Sequence, residues 1–351
     1  PPQHIIEALC RSAIQPENHS YQSQRGTARL RAAWAQMYAR LYGITFEPET
    51  EILPLLGTKE GIFHFPLTFI NPGEVVLIPD PGYITYTRGA LLAGARPIPF
   101  ALRRENGYLP ILEEIPLETL EQAKIMWLNY PNNPTAAIAP LDFFEKVVEF
   151  ARKHHILLCH DAAYNQITFN GRPAPSIFQV PGAKEVAVEF HTLSKSHNMA
   201  GWRVGAVFGD EKYLRPFFSL KTNMDSGHFL PVLEAATVAM TGDQSWLAER
   251  NQIYQRRRDM VIAALQRMGL QAQVPQGSLY VWCPIPKGWT AEDFTRFLLE
   301  QAHLSLTPGT VFGENGEGFI RISITLPEEQ IAQAMEQMGE ALQSMQDSEV
   351  K

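Results

Sequence analysis

Lys195 and Arg203 lie close together in the segment Ser194-Lys195-Ser196-His197-Asn198-Met199-Ala200-Gly201-Trp202-Arg203-Val204-Gly205. A lone lysine reads as a solvated surface cation. This one follows an apolar run that reads as a strand, with Lys59 as a further cation to set beside it. A lysine amine attacks a carbonyl only when neutral, a state favoured by a dry pocket rich in other cations. Two more polar strings, Asn129-Tyr130-Pro131-Asn132-Asn133-Pro134-Thr135 and Cys159-His160-Asp161-Ala162-Ala163-Tyr164, directly follow apolar runs. That is the strand end at which open α/β sheets bind ligands. Gly57-Thr58-Lys59 opens a helical pattern and offers backbone N–H groups and a hydroxyl to an anion. In Phe319-Ile320-Arg321-Ile322-Ser323-Ile324 the period-two alternation sets Arg321 and Ser323 on one face and the isoleucines on the other. A planar guanidinium there suits a carboxylate gripped through two parallel bonds, unless the strand is an exposed edge.

These residues need a scaffold, and the chain between about residues 50 and 210 supplies one. Continuous apolar runs at Glu74–Pro79, Pro97–Ala101, Ile125–Asn129, Ile156–His160, Val186–Phe190 and Val204–Gly209 read as buried parallel strands. Helical spacing separates several of them, as in Pro140–His155, where Phe144, Val147, Val148 and Ala151 share a face. The pattern predicts an α/β fold: a large domain with a mostly parallel sheet flanked by helices. Past Pro231 long helices take over, including Ser245–Met268 with Gly269 as its stop. A smaller α+β domain follows, with strands at Pro275–Cys283 and Phe319–Ile324 and a capping box at Thr290-Ala291-Glu292-Asp293. Its last helix carries the apolar stripe Ile331, Met335, Met338, Leu342 and Met345. The expected division is 19–244 for the large domain, and 1–18 with 245–351 for the small one.

In this order, Gly57-Thr58-Lys59-Glu60-Gly61, Asn133-Pro134-Thr135, Asp161 with Tyr164, and Ser194-Lys195 with Arg203 resemble the motifs of class I/II aminotransferases of fold type I. The resemblance runs from residue 1 to about residue 343. Within the class, Leu220-Lys221-Thr222-Asn223-Met224-Asp225-Ser226-Gly227 and Gly57-Thr58-Lys59-Glu60-Gly61-Ile62 look closest to the LL-diaminopimelate aminotransferase-like branch. The resemblance implies pyridoxal 5′-phosphate as cofactor, held by Lys195 as an internal aldimine, with Lys195 then moving the proton between Cα and C4′. It implies that Asp161 keeps the pyridine nitrogen protonated and that Tyr164 and Asn133 bond the ring 3′-oxygen. Gly57, Thr58, Lys59, Thr192 and Arg203 cradle the phosphate, and Tyr83 stacks on the ring. Arg321 and Asn133 meet the substrate, and Tyr21 reaches the phosphate of a neighbouring subunit, so the expected active unit is a homodimer. Lys221, Asn223, Asp225 and His228 are candidates for the side-chain pocket. The implied reaction moves an amino group from an amino acid to a 2-oxo acid, with 2-oxoglutarate and glutamate as one pair. A lyase or decarboxylase of the same fold and a non-catalytic cofactor-binding regulator are the alternatives. One departure stands out: the usual Asn-Pro-Thr-Gly reads Asn133-Pro134-Thr135-Ala136, which is expected to alter the turn.

The bulk numbers agree with a small-molecule enzyme. The 351 residues, 45% of them hydrophobic, suffice for one large and one small domain. A net charge of -7 with scattered cations gives no footprint for nucleic acid or an anionic membrane. The single basic run, Arg256-Arg257-Arg258, is expected on a solvated helix face. No apolar run approaches the roughly 20 residues a membrane span requires. Cys10, Cys159 and Cys283 are odd in number and widely spaced, which suits a reducing cytoplasm. The chain opens Pro1-Pro2, so the natural N-terminus is expected upstream, along with an arm that in similar proteins carries a glycine near the substrate carboxylate.

Overall fold

A computed structural model of the chain describes residues 1–349. Seven strands form the large sheet: β1 (Ile52–Leu55), β2 (Val75–Asp80), β3 (Arg96–Ala101), β4 (Ala123–Asn129), β5 (Leu157–Asp161), β6 (Ala187–Thr192) and β7 (Gly205–Gly209). Their order is β1-β7-β6-β5-β4-β2-β3. The consecutive pairs from β6 to β3 are parallel, and β7 runs antiparallel to both β6 and β1. Alternation along β4 shows how both faces are covered. Met126 and Leu128 join a core with Trp34, Phe144 and Leu233 on one side. Ile125 and Trp127 meet Ile62, Phe65 and Phe217 on the other.

Two strands depart from the buried pattern, and their position explains it. β3 is an edge, so Pro97 and Pro99 remove no ladder bond and much of the strand is open to solvent. β1, the opposite edge, is only four residues long and carries Pro54; the sequence reading does not single it out.

The small sheet is antiparallel, β8 (Tyr280–Pro284), β9 (Thr307–Pro308) and β10 (Phe319–Ser323), in the order β8-β10-β9. Ile320, Ile322 and Ile324 point into a core completed by Ile331, Met335, Met338 and Leu342 of the Glu328–Glu349 helix, with Met345 packed at its border. The helix Ala291–Ala302 starts as expected: Thr290 accepts the Asp293 N–H at 3.1 Å. The strand expected from Pro275 begins only at Tyr280. The residues before it are stitched to the large sheet's periphery instead, through Phe169 N–H to Gln276 O at 2.9 Å and Ser278 N–H to Ile167 O at 2.9 Å. Gly277 is required there, since a Cβ would lie 2.5 Å from the Ile167 carbonyl oxygen.

The helix Trp246–Arg267 joins the two parts. Trp246 packs on the large core, whereas Val261, Ile262 and Leu265 belong to the small one. Arg258, expected on a solvated face, is 7% exposed and donates to Pro275 O at 2.8 Å; Arg256 pairs with Glu328 and Arg257 donates to Thr325 O. The helix Gln3–Ala13, grouped by the sequence with the small domain, instead buries Ile5 and Ala8 in the same core as Leu233, Ala236 and Met240 of the helix Leu230–Thr241. No described helix is long and apolar enough to cross a membrane.

Candidate active site

The carboxyl ends of β4, β5 and β6 deliver Asn129, Asp161 and Thr192 side by side, and the cavity above them, about 400 Å³, is also lined by Thr58, Lys59, Tyr83, Asn133, Tyr164, Lys195, Arg203 and Arg321. Asn129 and Asp161 are register partners. Asn129 uses both ends of its amide: Nδ2 donates to Asp161 O at 2.8 Å and Oδ1 accepts the Asn133 N–H at 2.8 Å. One side chain therefore fixes both catalytic loops. The turn that follows is kept despite Ala136. That residue takes φ +61°, and its N–H donates to Asn132 O at 2.9 Å. Since the backbone already has the conformation glycine favours, Ala136→Gly should leave KM unchanged. Relief of the left-handed strain of about 1–2 kcal/mol is offset by chain entropy and one lost methyl contact, so urea unfolding should shift by less than about 1 kcal/mol. A larger shift in either direction would show that the methyl, not the turn, matters.

Burial and partners set the charge of the site. The Asp161 carboxyl is pushed up to about 6, chiefly by burial; the Tyr86 hydroxyl, His160, the Ala163 N–H and the charge of Lys195 oppose that rise. Tyr86 Oη donates to Asp161 Oδ2 at 2.8 Å and the Ala163 N–H to Oδ1 at 3.2 Å. The Tyr86 ring is itself held by stacking on Trp127, with centroids 5.0 Å apart and planes 15° apart. On the far side of β5, His160 places Nδ1 2.8 Å from Glu189 Oε2 and Nε2 3.1 Å from Tyr130 O. Both ring nitrogens thus face acceptors. Tyr164 Oη lies 3.1 Å from Tyr280 Oη; burial first, then Tyr280 and Asp161, raises the Tyr164 pKa, against an opposing pull from Arg321.

Lys195 sits in a single helical turn, Leu193–Ser196, capped by Thr192, whose Oγ1 accepts the Ser194 N–H and donates to Val204 O at 3.1 Å. No ion pair engages the Lys195 amine among the described residues. The far end of the turn is gripped by Arg250, which donates to the Ser196 and Gln166 carbonyls. Arg203 donates to Ala200 O at 2.8 Å and approaches Ser194 Oγ at 3.4 Å. Gly57 (φ +80°) packs under that guanidinium: a Cβ would lie 2.3 Å from Arg203 Nη2. Arg321 is on the central strand of its sheet, not an edge. Its Nη1 donates to Asn133 Oδ1 at 2.8 Å, and its guanidinium lies between the rings of Tyr280 and Phe312, 4.1 and 4.7 Å from their centroids.

The four candidates for the side-chain pocket lie away from the cavity of their own subunit. Lys221 is 1% exposed and pairs with Glu60 and Asp225 at 2.9 and 2.5 Å. That triad ties the loop after the helix Glu211–Lys221 to the Thr58–His64 helix. Asn223 donates to Ser219 O and His228 Nε2 lies 2.9 Å from Arg203 O. None of the four lines the cavity. Tyr21 is also outside it, 91% exposed. Conversely Tyr86, Tyr280 and Arg250 carry contacts that no motif announces.

The donor set suits pyridoxal 5′-phosphate. Gly57, Thr58, Ser194 and Arg203 provide hydroxyls, a guanidinium and a close backbone approach for a phosphate, Asp161 offers a buried carboxylate for a ring nitrogen, and Lys195 brings an amine to the same cavity. The family model described as aminotransferase class I and II matches residues 1–338. The LL-diaminopimelate aminotransferase of Desulforudis audaxviator is 46% identical over 337 residues, 96% of this chain and 86% of that protein. That of Dehalococcoides mccartyi (strain 195) is 43% identical over 338 residues, 96% of this chain and 87% of that protein. Among solved structures, apo-BacF from Bacillus subtilis aligns with a TM-score of 0.94 at 38% identity, over 97% of this chain and 86% of that one. An aminotransferase from Staphylococcus aureus aligns at 0.93 and 33%, over 97% and 90%. With the lysine, the buried carboxylate and the phosphate cradle all in place, the chain belongs to the class I and II aminotransferases, fold type I enzymes that work with pyridoxal 5′-phosphate.

Proposed function

We propose that this aminotransferase takes a donor of the diaminopimelate type, with 2-oxoglutarate and glutamate as the second substrate pair. The supporting observation is Arg321, which lines the cavity and, braced by Asn133, offers a fork for one donor carboxylate. The relatives named LL-diaminopimelate aminotransferase, 41–46% identical, point the same way.

The bound cofactor supplies a protonated ring that withdraws electrons from the amino acid's Cα–H bond. Asp161 keeps the ring nitrogen protonated. Tyr164 Oη and the Nδ2 of Asn133, whose Oδ1 is occupied by Arg321, hold the ring oxygen. Gly57, Thr58, Lys59, Thr192 and Arg203 hold the phosphate, and Tyr83 covers the ring. Lys195 Nζ anchors the cofactor at rest and then carries the Cα proton. Arg321 orients the substrate through its α-carboxylate. The active unit is a homodimer in which the exposed Tyr21 reaches the partner's phosphate site; an active monomer in sedimentation would refute it. The unbridged Cys10, Cys159 and Cys283 support a cytoplasmic setting.

A panel of amino donors with 2-oxoglutarate, followed by glutamate release, tests the reading. The expected result is a kcat/KM for LL-diaminopimelate well above those for aspartate, alanine and phenylalanine. Preference for any of these three would overturn the proposed donor class.

A further inference from the structure

We propose that Tyr280 is a positioning residue that joins the substrate-carboxylate grip to the group that holds the cofactor ring oxygen. The inference rests on the roles given above to Arg321 and Tyr164. Tyr280 opens β8 and pairs with Ser323, while Arg321 pairs with Trp282, so Tyr280 and Arg321 are diagonal neighbours on one face of the small sheet. Its ring lies under the Arg321 guanidinium at 4.1 Å, and its hydroxyl lies 3.1 Å from that of Tyr164, a residue of the large domain's β5 loop.

Either hydroxyl can donate in the structure, and the role given above to Tyr164 sets the direction once the cofactor is bound. Each phenol has one proton. Tyr164 must spend its proton on the ring oxygen, so Tyr280 donates to Tyr164 and sharpens it as a donor. The face of the same ring holds the guanidinium flat. Phe312 on the other side and Asn133 at Nη1 complete the brace. One side chain therefore acts on two functions through two different parts, edge hydroxyl and ring face, and two substitutions separate them.

Tyr280→Phe keeps the face and loses the hydroxyl. The cofactor-loaded protein should bind donors with a KM within about twofold of wild type. The pH midpoint of its visible absorbance should move upward by about half a unit, because Tyr164 holds the anionic ring oxygen less well. Tyr280→Leu loses both: the midpoint moves and KM rises about three- to tenfold for alanine and glutamate alike. An unchanged midpoint in Tyr280→Phe, or a wild-type KM for both donors in Tyr280→Leu, overturns the proposal. Should the leucine variant fail to fold, Tyr280→Phe alone decides. Arg321→Ala and Tyr164→Phe, measured in parallel, keep the failures apart. If they move KM and midpoint respectively while the Tyr280 variants do not, only the bridging role is lost; if they too are silent, the underlying assignments are lost.

Discussion

Lys195→Ala should abolish transamination, lowering turnover by roughly 10⁴-fold or more, because one amine performs both anchoring and proton transfer. Two observations make it the sole candidate for this work. It is one of the two lysines in the cavity that also holds Asp161 and Arg203, and its turn is fixed at both ends, by Thr192 and by Arg250. Lys59, the other lysine there, is on the exposed start of a helix. Borohydride treatment followed by peptide mass analysis checks the assignment. The wild type should carry the cofactor covalently on the peptide containing Lys195, and the variant on none. Label on Lys59, or turnover within tenfold of wild type in Lys195→Ala, would defeat it. The same variant tests the shared site. Mixed with Tyr21→Ala and allowed to exchange subunits, it should recover roughly a quarter of wild-type activity, since half the dimers are mixed and each holds one intact site. No recovery would leave Tyr21 a surface residue of its own chain.

How much of this was legible beforehand follows from where each residue's partners lie in sequence. The central strands stand out because burial on both faces favours apolar runs, as in residues 75–79 of β2 and 125–128 of β4. β1 and β9 escape notice because edge strands tolerate proline and brevity, and Pro54 and Pro308 sit in four- and two-residue strands. The helix Gln3–Ala13 has an apolar face that any core would satisfy. Its partner lies more than two hundred positions on, and nothing local says so. Pro275 to Leu279 reads as a strand by composition, but the backbone of Gln276 and Ser278 bonds to Phe169 and Ile167.

The motif residues of the site were readable because loops after strand ends must present them, and Asp161, Asn133, Lys195 and Arg203 do line one cavity. What supports them was not. Tyr86 matters through a bond to Asp161 across 75 positions and Arg250 through carbonyls 54 and 84 positions away. Lys221 and Asp225 looked like pocket residues because charged groups in a loop suggest ligand contact. Their charges are instead consumed by Glu60 and by each other.

Arg321→Ala should raise KM sharply for every amino donor, whatever its side chain. All donors present the same α-carboxylate, and losing a charge-assisted pair in a partly desolvated site costs roughly 2–5 kcal/mol, or about 30-fold to several-thousand-fold in binding. The guanidinium is built for that task. It is flattened between Tyr280 and Phe312, and Asn133 Oδ1 takes one Nη1 proton while Thr307 Oγ1 lies 3.4 Å from Nη2. A guanidinium has five protons, so the fork retains donors for a carboxylate. Arg321→Lys should recover little, because an ammonium neither reproduces the fork nor stacks flat between two rings. A side-chain contact would behave differently, penalising long or acidic donors and sparing alanine. The donor profile of one variant thus separates the two assignments. Steady-state kinetics with alanine and glutamate suffices: a KM that rises by a similar factor for both supports the carboxylate grip, and wild-type KM for both would reduce Arg321 to a brace for Asn133.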